Sequence, residues 1–222
     1  AYYNRNSLKY IEAYGLNQVE SVIRYTLRRK DFCEAWNAFV ELGMTDNLFE
    51  FNFAAPITHR DFTRMFIRTG SGSLEERFAK AIGKSTDHPV MQKLQWLGIF
   101  NSEPLQMQSG TSAKFLQKII EKKWTIEAHE RDAIYMAHVC YYELNNELFK
   151  RKSYLAVEGD DYHKTAMAKT VGLPLAIAVS EFLKGNISAK GVQIPCGKIF
   201  YEPILKALEL EGIAFDEVLE KK

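Results

Sequence analysis

Two strand-like stretches meet at adjacent asparagines, and that junction limits the folds open to this chain more than any other feature. Residues 131–144 and 147–158 read as long strands around Asn145-Asn146. Asparagine tolerates the left-handed backbone of tight hairpin turns, so the two stretches are expected to pair antiparallel. Upstream, residues 19–27 are rich in β-branched and aromatic side chains and read as a further strand.

Helical signals fill the sequence between these strands. Asp31 and Glu34 have the spacing of a capping box. Phe32, Ala35, Trp36, Phe39 and Val40 then share one helical face, and Gly43 suits the stop. Residues 45–57 read as a loop ending near Pro56. Thr58, Ser73 and Thr111 are expected N-caps for helices over 59–69, 74–83 and 112–124. Pro89 is expected in the first turn of a helix over 89–98. Residues 58–124 thus form a helical insert. Beyond the hairpin, an apolar helix is expected over 165–184, interrupted at Gly172-Leu173-Pro174. A helix over 203–211 stopped by Gly212 and a short strand over 213–215 follow. The order of strand, helices, two strands, helices and strand predicts an α+β fold with a mixed, mainly antiparallel sheet.

At 222 residues, with 46% hydrophobic and 13% aromatic side chains, the chain is long and apolar enough to bury a core. A net charge of +1 provides no global field for nucleic acid or an anionic membrane, so neither is expected as a partner. Residues 171–183 are the best membrane-spanning candidate, but the run is short and carries Pro174 and Glu181. Cys33, Cys140 and Cys196 are odd in number and widely spaced, which fits reduced thiols and a cytoplasmic setting. The opening Ala1-Tyr2-Tyr3-Asn4-Arg5 has no initiator methionine and no polar lead-in. It is expected to begin within a domain of a larger protein.

Against this near-neutral background, Arg24, Arg28, Arg29 and Lys30 crowd a strand-to-helix junction. Alternation along a strand would set Arg24, Thr26 and Arg28 on one surface. Arginine's planar fork bonds both oxygens of a carboxylate, so the cluster suits a ligand with several carboxylates. The plain alternative is a solvated strand end, and likewise Arg5 reads as a surface side chain near a turn. His59, His88, His129, His138 and His163 lack the pairing of a helical metal site, and no metal is expected. Thr69-Gly70-Ser71-Gly72-Ser73 imitates a phosphate loop without a preceding strand or third glycine. Ser73 serves better as a helix cap, and no nucleotide site is expected in this chain.

Several segments resemble one family. YYNRNSLKYIEAYGL is similar to the YPNRDSxxYxxxYG-type stretch of the glutamate-forming saccharopine dehydrogenases, and VIRYTLRRKDFCEAWNAFVELGM to their IRGTLRYxGFxEAxxAxVxLGL segment. QWLGIFNSEPL, HERDAIYMAHVCYYEL, AMAKTVGLPLAIAVSEFLKGNISAKGV and IFYEPILKALELEGI follow in the family's order.

The resemblance implies an NAD- or NADP-holding Rossmann domain joined to a substrate domain like the C-terminal domain of glyceraldehyde-3-phosphate dehydrogenase. Residues 1–160 would be part of that substrate domain, with 58–124 its helical insert. Residues 161–222 would form a C-terminal helical segment packing toward the nucleotide domain, which the given chain would lack. The implied reaction, in lysine metabolism, oxidises saccharopine with NAD or NADP to glutamate and 2-aminoadipate 6-semialdehyde. A small amino-acid substrate is thus the expected partner, and the chain is expected to be inactive by itself. Exposed apolar surface on the C-terminal helix would favour self-association, with a homodimer as one outcome.

By the same resemblance, Arg5 and Arg28 would pair with substrate carboxylates, Thr26 would offer a hydroxyl and Leu27 its backbone. Asn6 and Arg24 would stand behind them, and no general base is assigned. The family's Asp is Asn6 here and its Gly is Tyr25, departures that bear on substrate choice. A carboxynorspermidine dehydrogenase and a non-catalytic ligand-binding or oligomerisation domain therefore remain as alternatives.

Overall fold

Backbone pairing between sequence-distant segments organises the chain. The computed structural model describes residues 1–4 and 6–221. In order, the elements are β1 (Tyr2–Tyr3), α1 (Lys9–Ala13), β2 (Tyr25–Thr26), α2 (Lys30–Glu41), β3 (Glu50–Asn52), α3 (His59–Met65), α4 (Leu74–Ala81), α5 (Pro89–Leu97), β4 (Ser109–Thr111) and α6 (Ser112–Trp124). Then come β5 (Ala133–Leu144), β6 (Glu147–Glu158), a π-helical segment (Ala168–Gly172), α7 (Leu173–Leu183), α8 (Lys198–Leu210) and β7 (Asp216–Lys221). Each sheet is antiparallel: β1 with β2, β3 with β4, and β5-β6-β7. The fold is the α+β class expected from the element order.

The chain divides into two compact units, residues 1–7 with 23–125, and residues 8–22 with 126–222. The first is a helical unit around Phe39, Phe62, Phe78 and Phe115, all essentially inaccessible. Burying each such ring contributes about 1.5–3 kcal/mol. Its helices start where short polar side chains satisfy free N–H groups. Thr58 and Asp61 close a capping box on α3, Ser73 and Glu76 another on α4, and Thr111 caps α6. Pro89 occupies the first turn of α5, and Gly98 ends that helix with φ 85°. Buried His59 keeps its Nδ1 3.0 Å from the Gly98 carbonyl, a packing role.

In the second unit β5 and β6 pair along their whole length through Asn145 (φ 54°) and Asn146 (φ 61°). Leu155 and Val157 face Ala166, Leu208 and Ile213 in its core. The helical run after residue 165 starts on Asp132, whose carboxylate accepts from the Ala166 N–H (2.6 Å) and the Met167 N–H (3.0 Å).

Five local expectations change. Residues 19–27 are not one strand: only Tyr25–Thr26 pairs, because the chain passes from one unit to the other at residue 23. Asp31 is not an N-cap: α2 starts at Lys30 after Arg29, and the Asp31 carboxylate turns to Lys93 instead. The loop over 45–57 contains β3, paired with β4. The interruption before Pro174 takes the form of the π-helical segment running into α7. At the end, α8 begins at Lys198 with Pro203 inside it, and the last strand lies at Asp216–Lys221. Ile213 is buried in the core and Phe215 packs against it, so the ladder forms only beyond them.

Two consequences are testable. A methyl group on Gly159 would lie 2.4 Å from Asp132 Oδ1 and 3.0 Å from the Ala166 nitrogen. Gly159→Ala is expected to destabilise the second unit by about 1–3 kcal/mol in denaturant unfolding. In the first unit, Asp61 accepts from the Thr58 hydroxyl at 2.6 Å and its N–H at 3.2 Å. These bonds hold its carboxyl below the ordinary 3.8. The resulting stability is fully present above that value and is lost as pH falls through the lowered one. Melting of Asp61→Asn should therefore depend less on pH, as pH falls below the ordinary 3.8, than melting of the parent chain.

Candidate functional site

The two-residue ladder of β1 and β2 joins the two segments that carry the arginines. Tyr2 stands opposite Thr26 and Tyr3 opposite Tyr25, and the Asn4 N–H donates to the Arg24 carbonyl at 3.0 Å. The Ser7 hydroxyl donates back to the Asn4 carbonyl at 3.1 Å, turning the chain there. Arg5 lies outside the described residues. Its neighbour Asn4 is placed beside Arg24, while the register runs away from Arg28, which follows Thr26 past the Tyr2 end of the ladder. An extended run from residue 24 to residue 28 spans about 13 Å, so these two cations bracket Thr26 from opposite ends.

Their surroundings differ. Arg24, Leu27, Arg28, Arg29 and Lys30 are exposed and Thr26 is half-buried. Arg28 donates from Nη1 to the Leu27 carbonyl at 2.7 Å, which uses one of its five N–H donors and occupies the Leu27 backbone oxygen. Asn6 is exposed in the segment that follows Asn4. In a paired strand successive side chains alternate, so Tyr25 faces away from the side that carries Thr26. The bulk of Tyr25 is thus carried on the other face of the ladder.

Arg29 and Lys30 begin α2. The Arg29 side chain, 91% exposed, keeps Nε 4.0 Å from Asp31 Oδ1, and Lys93 on α5 reaches Asp31 Oδ2 at 2.8 Å. That Lys93 hydrogen bond is the main reason the Asp31 carboxyl sits below the usual range. Desolvation opposes it, and the Phe32 N–H and the Arg29 charge add to the lowering. Beside these charges opens a cleft of about 580 Å³ lined by α2, α5 and the end of α6. Sequence reasoning missed it, although Trp36 had been assigned to the buried face of α2. The tryptophans come from three separate helices, and only their packing brings them together.

Among the described residues, no group of three or more His, Cys, Asp or Glu side chains could hold a metal ion. The sheets of the described residues are antiparallel, and the glycine pair before α4 leads to a helix start closed by its own Ser73 and Glu76. An approaching phosphate would meet the Glu76 carboxylate, 2.7 Å from the Ser73 N–H. No helix among the described residues is long and apolar enough to cross a membrane.

The fold is an α+β domain with exposed cations gathered where β2 leads into α2. Comparison with known proteins places it further. The model of the saccharopine dehydrogenase C-terminal domain matches residues 1–213, and the chain belongs to that family. The mitochondrial alpha-aminoadipic semialdehyde synthase of Bos taurus is 34% identical over 223 residues, 96% of this chain and 24% of that protein. The NADP(+), L-glutamate-forming saccharopine dehydrogenase of Schizosaccharomyces pombe is 29% identical, covering 97% of this chain and 50% of its own length. Apo, histidine-tagged saccharopine dehydrogenase (L-Glu forming) from Saccharomyces cerevisiae superposes with a TM-score of 0.81 at 27% identity, over 99% of this chain and 51% of that one. The chain therefore spans about a quarter of the bovine relative and half of the fungal ones.

The Asp31 arrangement makes a direct prediction. Lys93→Met should raise the Asp31 pKa toward its ordinary 3.8, because the largest stabiliser of its charged form is removed. A carboxyl-carbon NMR titration of the variant beside the parent chain would register the shift.

Proposed function

We propose that this chain is the substrate-binding and C-terminal portion of an oxidoreductase that acts on saccharopine with NAD or NADP, yielding glutamate and 2-aminoadipate 6-semialdehyde. The match of the family's C-terminal domain over residues 1–213 carries the reading. The β1–β2 register supports it, because it sets the segment containing Arg5 alongside the one containing Thr26, Leu27 and Arg28. Saccharopine has carboxylates at both ends of an extended skeleton. Arg24 and Arg28, which bracket Thr26 from opposite ends, suit that spacing better than a single phosphate-like charge would.

In this reading Arg5 and Arg28 hold substrate carboxylates, each through paired N–H donors. Thr26 gives its hydroxyl. Leu27 contributes little through its carbonyl, which already accepts from Arg28. Asn6 and Arg24 keep the turn after Asn4 in place. These groups bind and orient the secondary amine so that its C–H bond is presented in one direction. The nicotinamide, when bound, accepts the hydride. The residues that hold it belong to parts of the protein beyond those described, and the chain is inactive without them.

Calorimetry of the chain with saccharopine and with carboxynorspermidine tests the binding half of the proposal. Saccharopine should bind more tightly, since only it offers three carboxylates. Arg28→Ala should weaken that binding by about 2–5 kcal/mol where the pair is desolvated. Equal affinities for the parent and the Arg28→Ala chain would remove Arg28 from the site. Preference for the polyamine would replace saccharopine as the substrate. Saccharopine-dependent reduction of NAD or NADP by the native protein that carries this segment tests the catalytic half.

A further inference from the structure

All three tryptophans of the chain, Trp36, Trp96 and Trp124, line the cleft between α2 and α5. Phe32, Trp36 and Trp124 form one aromatic group with ring centroids 5.8–6.0 Å apart, Trp36 stacked on both of the others and Phe32 tilted against Trp124. Leu94 and Leu97 add aliphatic surface. Yet Trp96 and Trp124 remain 58% and 47% exposed, so the aromatic wall is only half covered by the protein itself. Large half-exposed indoles gathered in one concavity are unusual on a surface that otherwise has no need of them. A volume of about 580 Å³ suits a small molecule with one ring system and a short tail.

The mouth has a defined charge. Arg29, Asp31 and Lys93 line it, two cations against one carboxylate. Lys93 is engaged with Asp31 at 2.8 Å, whereas the Arg29 guanidinium is 91% exposed and only 4.0 Å from that carboxylate at its nearest nitrogen. Among these lining groups the surplus is one positive charge, carried by the group best shaped to fork a carboxylate, and Lys123, its Nζ 5.4 Å from the Trp96 ring centroid, adds a further cation beside the cleft. An ammonium ligand would bring a further cation to this rim, and a neutral ligand would leave the surplus unmatched. One carboxylate balances it.

We propose that this cleft is a binding site for a small carboxylate with an apolar ring-containing body, its acid group on Arg29 and its ring against Trp124 and Trp36. The site uses none of the residues assigned above to saccharopine and does not depend on that assignment. Because every tryptophan of the chain sits in it, intrinsic tryptophan fluorescence reports on this cleft alone.

The test titrates the chain with three molecules that share one body and differ in head group: 3-phenylpropionate, 3-phenylpropanol and 3-phenylpropylamine. The expected result is a saturable fluorescence change that is tightest with the carboxylate and weakest with the amine. In Arg29→Ala the carboxylate should lose about tenfold in affinity while the alcohol is unchanged, the scale of one charge-assisted hydrogen bond at a rim. Arg29 is so exposed that its removal leaves the helical core intact, which circular dichroism of the variant would verify. Absence of saturation, equal affinity for the three head groups, or an Arg29→Ala chain that still prefers the acid would each overturn the proposal. So would a tryptophan signal that follows protein concentration together with dimerisation in sedimentation, since the cleft would then be filled by a second copy.

Discussion

The ladder between Tyr2–Tyr3 and Tyr25–Thr26 is the constraint on which the candidate site depends. It is only two residues long, yet it ties the start of the chain to the lead-in of α2 across residues 8–22, which belong to the other unit. Two residue pairs, even of β-favouring Tyr and Thr, make a ladder too short to hold by itself. The pairing persists because the α2 end is anchored by Ala38 and Phe39 in the helical core, and because Asn4 and Ser7 extend it with hydrogen bonds. Once that register is set, Arg24, Thr26 and Arg28 have their order in space, and the polar turn after Asn4 has its neighbour.

Charge in this protein is local in effect. With net charge +1 the chain attracts nothing at long range, so recognition rests on where individual cations are left uncommitted. Asp31 illustrates the economy of the arrangement. Its carboxylate binds Lys93 and stays near Arg29, which joins α2 to α5 and leaves Arg29 largely open. In contrast, Arg60 on α3 is committed to Glu75 at 2.8 Å and to the Phe100 carbonyl at 3.0 Å, a purely architectural use of the same side chain. The two arginines differ in their surroundings and not in their chemistry.

Family membership and local geometry carry different parts of the functional reading. The family match spans nearly the whole chain and supplies the reaction class from which the proposal starts. The structure adds a register, a set of exposed cations and a relation between Tyr25 and Thr26 that bears on the departures from the family pattern. Where the resembled family pattern has a glycine, Tyr25 stands on the face of the ladder opposite Thr26, by the alternation of paired residues.

What the sequence determined by itself is local. The Asn145-Asn146 hairpin, the capping boxes at Thr58 and Ser73, the Thr111 cap and the place of Pro89 were all legible, because each rests on residues within a few positions of one another. The capping box at Asp31 was misread for the complementary reason: Lys93, far along the chain, competes for the same carboxylate. The strand over 19–27 failed because its middle crosses between units, and β3 was missed because its partner Ser109–Thr111 lies beyond three helices. The resemblance named Arg5, Thr26, Leu27 and Arg28, but only the tertiary pairing shows which end of the ladder meets Asn4. Likewise, packing alone assembled Trp36, Trp96 and Trp124 into one cleft. Hydrogen bonds and contacts between distant residues have no sequence signature when each partner, taken alone, has several satisfactory places to go.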